Sequence, residues 1–403
     1  MRRLLITCLL AIPAVASAQA APEAPAPEAP APETPAPETP APTPEPPKVA
    51  QETPPAATTP TEDASATATT ETPTPAPAVE VHGFTSIAFS HNFNKTPDHS
   101  NPLRTFDTNS DTASIDVVEL AVMRGVSKAD DLGFRVDAVA GSTIPRVEAA
   151  SGLFRDPATG QAGYFDLQQA YASYKPADAV TIDLGKFVTP IGYELIEGWD
   201  GWNDHYSHSY LFGYAIPFTH TGARVAYTSG DLTYTAYVVN GWDNATTTNI
   251  GKTAGLNVLY VHGPATIAAT YMGGKESDGW RHIVDAVATI KLGDNATIGA
   301  NGDFGQGGAM SSQWYGGALY ATYSPAAKVT LALRGEVFDD KDGARTGTAQ
   351  TLEEGTATVQ VHLSDDAHVR AEVRVDNSDQ MVFGGNDPSK TQVTAAVNAL
   401  AKF

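Results

Sequence analysis

Ionisable side chains alternate with apolar ones from His368 to Asp376, where Arg370, Glu372 and Arg374 occupy every second position. Successive side chains of a β-strand point to opposite faces, so a strand here directs its charges to one side and its apolar groups to the other. In a soluble sandwich the apolar face would need a protein core. In a membrane-spanning barrel it would face lipid while the charges line a wet lumen. One strand cannot distinguish these alternatives.

The same alternation places further charges of both signs on one face of other segments. Rings of charged side chains across a water-filled lumen select solutes by sign. The alternative is that these side chains pair with one another inside the wall and that a loop elsewhere sets the selectivity. Both alternatives stay open at the level of sequence. The candidate pore-lining residues are Arg135, Asp137, Arg224, Arg334, Glu336, Arg370, Glu372 and Arg374.

Motifs for covalent chemistry do not stand out. We find no G-x-S-x-G, no Walker loop and no order of Ser, His and Asp that would predict nucleophilic catalysis. Asp204, His205 and His208 could suggest a metal site, but loop polarity explains them better, because no matching ligands cluster elsewhere in the sequence. We therefore expect no enzyme, no catalytic residue, no metal and no cofactor.

The first 18 residues predict export. Met1-Arg2-Arg3 is followed by an apolar run over 4–15 and by Ala16-Ser17-Ala18, which together supply the basic, hydrophobic and small-residue parts of a signal peptide. We expect cleavage after Ala18. The single cysteine, Cys8, lies in this segment, so the mature chain should contain no thiol.

Residues 19–79 form a Pro/Ala/Glu-rich tail with almost no large apolar side chain. Such a composition cannot build a core, and proline favours the extended polyproline II conformation. The sequence predicts a disordered periplasmic tail, either a solvated tether or a segment that contacts the cell wall. The net charge of −21 makes nucleic acid an improbable partner, because binding it needs clustered basic surface.

From residue 80 to residue 403 the sequence shows period-two patterning, interrupted by two kinds of connection. Tight turns alternate with longer polar stretches, as in an outer-membrane barrel with short periplasmic turns and longer external loops. We therefore predict an all-β, transmembrane, antiparallel up-and-down barrel of about 16 strands. The stretches assigned as long connections are 93–113, 143–163, 188–219, 243–250, 274–281, 305–312, 339–350 and 377–389.

The longest of these connections, Val188 to Thr219, is rich in aromatic residues and glycine. Because a loop this apolar is poorly suited to water, we predict that it folds into the barrel and narrows the lumen. The alternative is a lid packed over the outer rim. The candidate constriction residues are Tyr193, Glu194, Trp199, Trp202, Tyr206, Tyr210 and Phe212.

The last strand places Val393, Val397, Ala399 and Phe403 on one side. A terminal aromatic residue behind alternating apolar residues resembles the signal by which the outer-membrane assembly machinery recognises its clients. Phe403 is therefore the predicted assembly signal.

Several blocks resemble the beta-barrel porin family of the OmpL-like group, which are porins of Gram-negative outer membranes. The resemblance implies a diffusion channel in the outer membrane, in contact with its lipid, but it does not imply a substrate. The predicted function is passive diffusion of small hydrophilic solutes. The alternative is a structural anchor whose tail contacts the cell wall. The blocks are 101–107, 133–137, 169–174, 181–194, 210–224 and 239–244, among them Gly185-Lys186-Phe187-Val188-Thr189-Pro190 and Asn240-Gly241-Trp242-Asp243.

Overall fold

The computed structural model describes residues 78–156, 158–246, 251–308 and 310–403. The predictions for residues 1–18, and for the tail up to residue 77, lie outside the described residues.

Sixteen strands make up almost all of the regular structure in the described part of the chain. Two short helical segments lie in connections: α1 (Ile144–Ser151) and a π-helical turn (Leu211–Ala215). No helix in the described ranges is long and apolar enough to cross a membrane. The strands are β1 (Glu80–Asn92), β2 (Thr112–Arg124), β3 (Asp131–Ala140), β4 (Phe165–Ala177), β5 (Val180–Val188), β6 (Thr219–Ser229), β7 (Leu232–Val239), β8 (Thr253–His262), β9 (Ala265–Glu276), β10 (Gly279–Leu292), β11 (Ala296–Gly307), β12 (Ser312–Ala326), β13 (Val329–Asp340), β14 (Gln350–Ser364), β15 (Ala367–Ser378) and β16 (Thr391–Lys402).

Each strand pairs antiparallel with its neighbours in sequence, and β1 pairs with β16 to close the barrel. In the closing ladder Phe84 lies opposite Lys402, Ala88 opposite Asn398, and Asn92 opposite Thr394. Closure leaves no sheet edge with unpaired backbone groups, which is the condition for a β-structure to stand in lipid. The predicted all-β, antiparallel, up-and-down barrel of 16 strands is confirmed.

The two-faced patterning decides which side chains point outward. Along β13, Leu333 is 59% exposed, whereas its neighbour Arg334 is 3% exposed. The same alternation runs along β15, where Val373 is 52% exposed and Arg374 is fully buried. Apolar side chains therefore form the outer surface, and charged side chains point into the barrel.

Strand β4 breaks the alternation, because the adjacent Gln168 and Gln169 are both buried. The β3–β4 ladder pairs Asp137 with Gln169 and Ala138 with Leu167, so Gln168 is an extra residue in a β-bulge. A bulge inserts one residue and lets two consecutive side chains share a face. This explains why the inward face of this segment is ambiguous in the sequence.

The prediction of a long connection is wrong at two places. Strands β9 and β10 run through 274–281 and leave only residues 277 and 278 between them, and β11 and β12 leave only 308–311. The glycines in these stretches suggested loops, but the ladder continues past them, with Gly274 paired to Arg281 and Gly307 to Ser312. Short and long connections therefore do not alternate strictly around the barrel.

An arginine on the outer face should destabilise the barrel according to its depth in the membrane. Leu333 and Leu363 are both 59% exposed, but Leu333 lies mid-strand and Leu363 near the end of β14. We expect Leu333→Arg to lower the free energy of unfolding by about 2–4 kcal/mol and the matched Leu363→Arg by about 0–1 kcal/mol. Denaturant titration in lipid vesicles measures both, and equal losses would contradict the proposed outer face.

Candidate functional site

The connection between β5 and β6, residues 189–218, enters the barrel; we call it the inner loop. Every residue from His205 to Phe218 is buried. Its partners lie on the inner wall, as in the contact of His205 with Thr358 of β14 and of Tyr210 with Glu336 of β13. The structure therefore places this loop inside the barrel and not as a lid over the rim.

The second half of the inner loop fills one end of the lumen with an apolar cluster. Leu211, Phe212 and Ile216 pack there with Phe106 of the β1–β2 connection. Trp314 of β12 belongs to the same cluster, and its indole Nε1 donates to the carbonyl oxygen of Ala215 over 2.9 Å. The apolar side chains that sequence analysis placed in the loop thus gain a dry environment inside the barrel.

Charged wall residues of β13 hold the inner loop through its backbone and one carboxylate. Glu336 accepts hydrogen bonds from the backbone N–H groups of Tyr210 (2.7 Å) and Leu211 (2.5 Å). Arg334 pairs through Nη1 with Glu194 of the loop (2.7 Å) and through Nε with Glu354 of β14 (2.6 Å). Both wall side chains are buried, so these contacts form away from bulk water.

Strand β15 repeats this arrangement. Glu372 accepts from the backbone N–H of Tyr206 over 2.7 Å, and Arg370 pairs with Glu197 over 2.7 Å. Arg374 pairs with Asp376 (2.7 Å) and donates to the carbonyl oxygen of His208 (2.5 Å). Neither arginine is exposed to solvent.

The remaining predicted pore-lining residues also have partners. Arg135 pairs with Asp137 of the wall (2.8 Å) and with Asp200 of the inner loop (2.6 Å). Arg224 pairs with Asp183 over 2.7 Å and lies 4.5 Å from the ring centre of Phe187. All eight candidates point inward, and each of them binds other side chains of the wall, the inner loop, or both. Their role in lining a solute path stays a prediction.

The candidate constriction residues lie along the inner loop at different depths. Tyr193 stacks on Tyr320 of β12 at 3.8 Å, and Trp199 stacks on His82 of β1 at 3.8 Å. The ring centre of Trp202 lies 5.0 Å from the Nζ of Lys402. Others are buried in the loop's contacts with the wall: Glu194, Tyr206, Tyr210 and Phe212.

Sequence analysis missed Arg104, which lies in the β1–β2 connection and reaches into the barrel. Its guanidinium pairs with Asp107 (2.5 Å) and with Asp376 of β15 (2.6 Å), and all three side chains are buried. The available signal was the family-like block 101–107, which contains both Arg104 and Asp107.

Asp243, in the β7–β8 connection, fixes the point where the inner loop joins β6. Its carboxylate accepts from the backbone N–H groups of Phe218 (2.5 Å) and Thr219 (3.1 Å). Burial raises the pKa of Asp243 to about 6, although these two hydrogen bonds act in the opposite direction.

The histidines of the inner loop have structural partners. His205 is hydrogen-bonded with the hydroxyl of Thr358 (2.8 Å), and His208 with the carbonyl oxygen of Leu195 (3.1 Å). Within the described ranges, no three His, Cys, Asp or Glu side chains are grouped so that they could hold a metal ion.

A cavity of about 270 Å³ remains between the inner loop and strands β10 and β12. Its lining from the wall is Val287, Thr289 and Tyr320. Its lining from the loop is Tyr193, Glu194, Leu195, Trp202, Asn203, Asp204 and His205. Space inside the barrel is therefore reduced by the loop but not eliminated.

A closed sixteen-stranded antiparallel barrel with polar side chains inside is the architecture of the outer-membrane porins. The model of the family described as Putative beta-barrel porin-2, OmpL-like, matches residues 78–403. The chain belongs to this family, which confirms the resemblance and the location in the outer membrane of a Gram-negative bacterium.

Solved porin structures share the fold at low sequence identity. The outer membrane channel DcaP of Acinetobacter baumannii is 12% identical, with a TM-score of 0.57 over 81% of this chain and 98% of that chain. The anion-selective porin from Comamonas acidovorans is 11% identical, with a TM-score of 0.54 over 81% of this chain and 99% of that chain. OmpF of Salmonella typhi, in complex with daunomycin, is 12% identical, with a TM-score of 0.56 over 81% of this chain and 98% of that chain. No curated protein matches the chain.

Removing one buried wall charge should release the inner loop. We expect Arg334→Met to lower the free energy of unfolding by about 3–5 kcal/mol, because Glu194 would stay buried without its arginine partner and Glu354 would keep only its longer, 3.6 Å pair with Arg374. Urea unfolding in detergent gives the stability, and chymotrypsin cleavage reports access to the loop. The control is Lys390→Met, which removes an exposed cation and should change neither measurement. Equal behaviour of the two variants would show that the Arg334 pairs do not hold the loop.

Proposed function

We propose that the chain forms a water-filled channel through which small hydrophilic solutes diffuse passively across the outer membrane. Membership of the porin family supports a channel, and the proposal includes no chemical step. The observation that carries the solute path is the cavity of about 270 Å³ beside the inner loop.

The inner loop is hydrogen-bonded unevenly around the barrel wall. In the described part of the chain, it is hydrogen-bonded to β2, β3 and β11 to β15, through the wall residues Glu119, Arg135, Asn301, Trp314, Glu336, Thr358 and Glu372. Among the same residues, no hydrogen bond joins the loop to β7, β8 or β9. The cavity lies between the loop and strands β10 and β12, so in this proposal solutes pass there.

In this proposal the inner loop is the constriction. Tyr193 and Glu194 line the cavity, so an aromatic ring and a carboxylate would limit the size of a passing solute. The ring of Tyr193 also lies against Gly299 of β11, where an added Cβ would be 2.3 Å from its Cε2 atom. A tyrosine in this place spans the space between the loop and the wall.

Shortening this side chain should widen the path. We expect purified wild-type protein to make liposomes permeable to small neutral sugars, and Tyr193→Ala to increase the swelling rate and the single-channel conductance. The matched control is Tyr323→Ala on β12, because Tyr323 is 52% exposed on the outer face. It should leave both values unchanged.

Folded wild-type protein that admits no sugar would contradict the channel. That outcome would instead favour an anchor whose tail, residues 19–79, contacts the cell wall. An equal response of the two tyrosine variants would contradict the constriction but not the channel.

A further inference from the structure

A second depression, of about 240 Å³, lies at the end of the barrel that carries the inner-loop connection. It shares no lining residue with the cavity beside the inner loop. Strand β10 and the β13–β14 connection contribute Arg281 and Arg345, and further lining includes Asp278, Gly307, Trp314 and Ala344. Two guanidinium groups thus face one small recess in a strongly acidic chain.

Arg345 is held in place without a carboxylate. Its Nε donates to the carbonyl oxygen of Tyr214 over 2.5 Å, and its guanidinium carbon lies 5.2 Å from the ring centre of Trp314 and 5.3 Å from that of Trp242. Among the described residues, its two terminal nitrogens have no hydrogen-bonding partner, and no carboxylate lies within ion-pair distance. The protein therefore fixes the orientation of the guanidinium, while its terminal N–H groups donate to no described residue.

Arg281 flanks the same recess. Its guanidinium carbon lies 5.4 Å from the ring centre of Trp242, and it forms an ion pair with Asp278 at 3.2 Å. The side chain of Asp278 is 51% exposed, so this pair is weakened by water. Gly307 makes room for the arginine, since a Cβ there would be 2.8 Å from the Cγ of Arg281.

The other charged groups around Arg345 are of both signs, and none of the described carboxylates forms an ion pair with it. The guanidinium carbon of Arg146 of α1 lies 5.6 Å from the ring centre of Tyr214, the residue whose backbone carbonyl accepts from Arg345. The nearby carboxylates of Asp243 and Asp340 accept backbone N–H groups, of Phe218 and Thr219 in the first case and of Arg345 and Thr346 in the second. Both acids are thus engaged by the backbone.

We propose that this recess, the arginine recess, binds a small oxyanion, a carboxylate or a phosphate group. A planar guanidinium with two free terminal nitrogens matches the paired oxygens of such groups, and stacking on tryptophan keeps it rigid. The proposed binding depends only on the geometry of the recess. Its proposed role, to collect small organic anions at the mouth of the barrel before they permeate, rests on the proposed channel.

The test is isothermal titration of the detergent-solubilised full chain with sodium benzoate and, separately, with inorganic phosphate. We expect saturable binding of at least one probe and an affinity loss of about tenfold or more in Arg345→Ala, since charge-assisted hydrogen bonds would be removed. Arg281→Ala should weaken binding less. Arg345→Lys keeps the charge without the fork and should fall between wild type and Arg345→Ala.

The control is Lys341→Ala, which removes an exposed cation from the same connection and should not change the affinity. Retained heat-modifiable gel mobility shows that each variant is folded. Binding of benzoate but not of phosphate would assign a carboxylate, and the reverse would assign a phosphate group. Absence of binding to both probes, or equal affinity in wild type and Arg345→Ala, would overturn the site.

Sugar-induced liposome swelling on the same preparations separates this inference from the proposed function. A wild-type protein that swells liposomes but binds neither anion contradicts the recess alone. One that binds an anion but admits no sugar contradicts the channel and keeps the binding site.

Discussion

Backbone hydrogen bonding is the constraint on which the rest of this structure depends. No water is present in the hydrocarbon core to satisfy a free N–H or C=O group, so a β-sheet can stand there only if it is closed. The ladder between β1 and β16, from Phe84–Lys402 to Asn92–Thr394, meets this requirement. Once the sheet is closed, each strand has one lipid-facing side and one inner side, and the alternation of side chains follows.

The inner side carries buried charges, and burying a charge costs free energy unless it is paired and hydrogen-bonded. Here the inner loop supplies much of the pairing. Glu336 and Glu372 hold backbone N–H groups of the loop, while Arg334 and Arg370 hold its carboxylates Glu194 and Glu197. The charges of the inner wall are therefore largely engaged in positioning the loop. Wall and loop therefore depend on each other.

The contacts of the loop with the wall are also uneven around the barrel, and they leave space inside it. The loop is hydrogen-bonded to β2, β3 and β11 to β15. A cavity remains between the loop and strands β10 and β12. At the mouth, Arg345 is oriented by Tyr214, Trp242 and Trp314 and has no acidic partner among the described residues. Net charge alone, at −21, gives no indication of such a grouping of arginines.

By itself the sequence determined the barrel, its strand number and the face of each charge, because a period of two residues is a local property of the chain. It located strand ends less well: the glycines of 274–281 and 305–312 suggested loops, although cross-strand pairing carries the ladder through them. Only the tertiary structure decided that the long connection lies inside the barrel and which charges meet. Arg334 and Glu194 are 140 residues apart, and Arg104 and Asp376 are 272 apart. Such pairs depend on the closure and radius of the whole barrel, which no local pattern encodes.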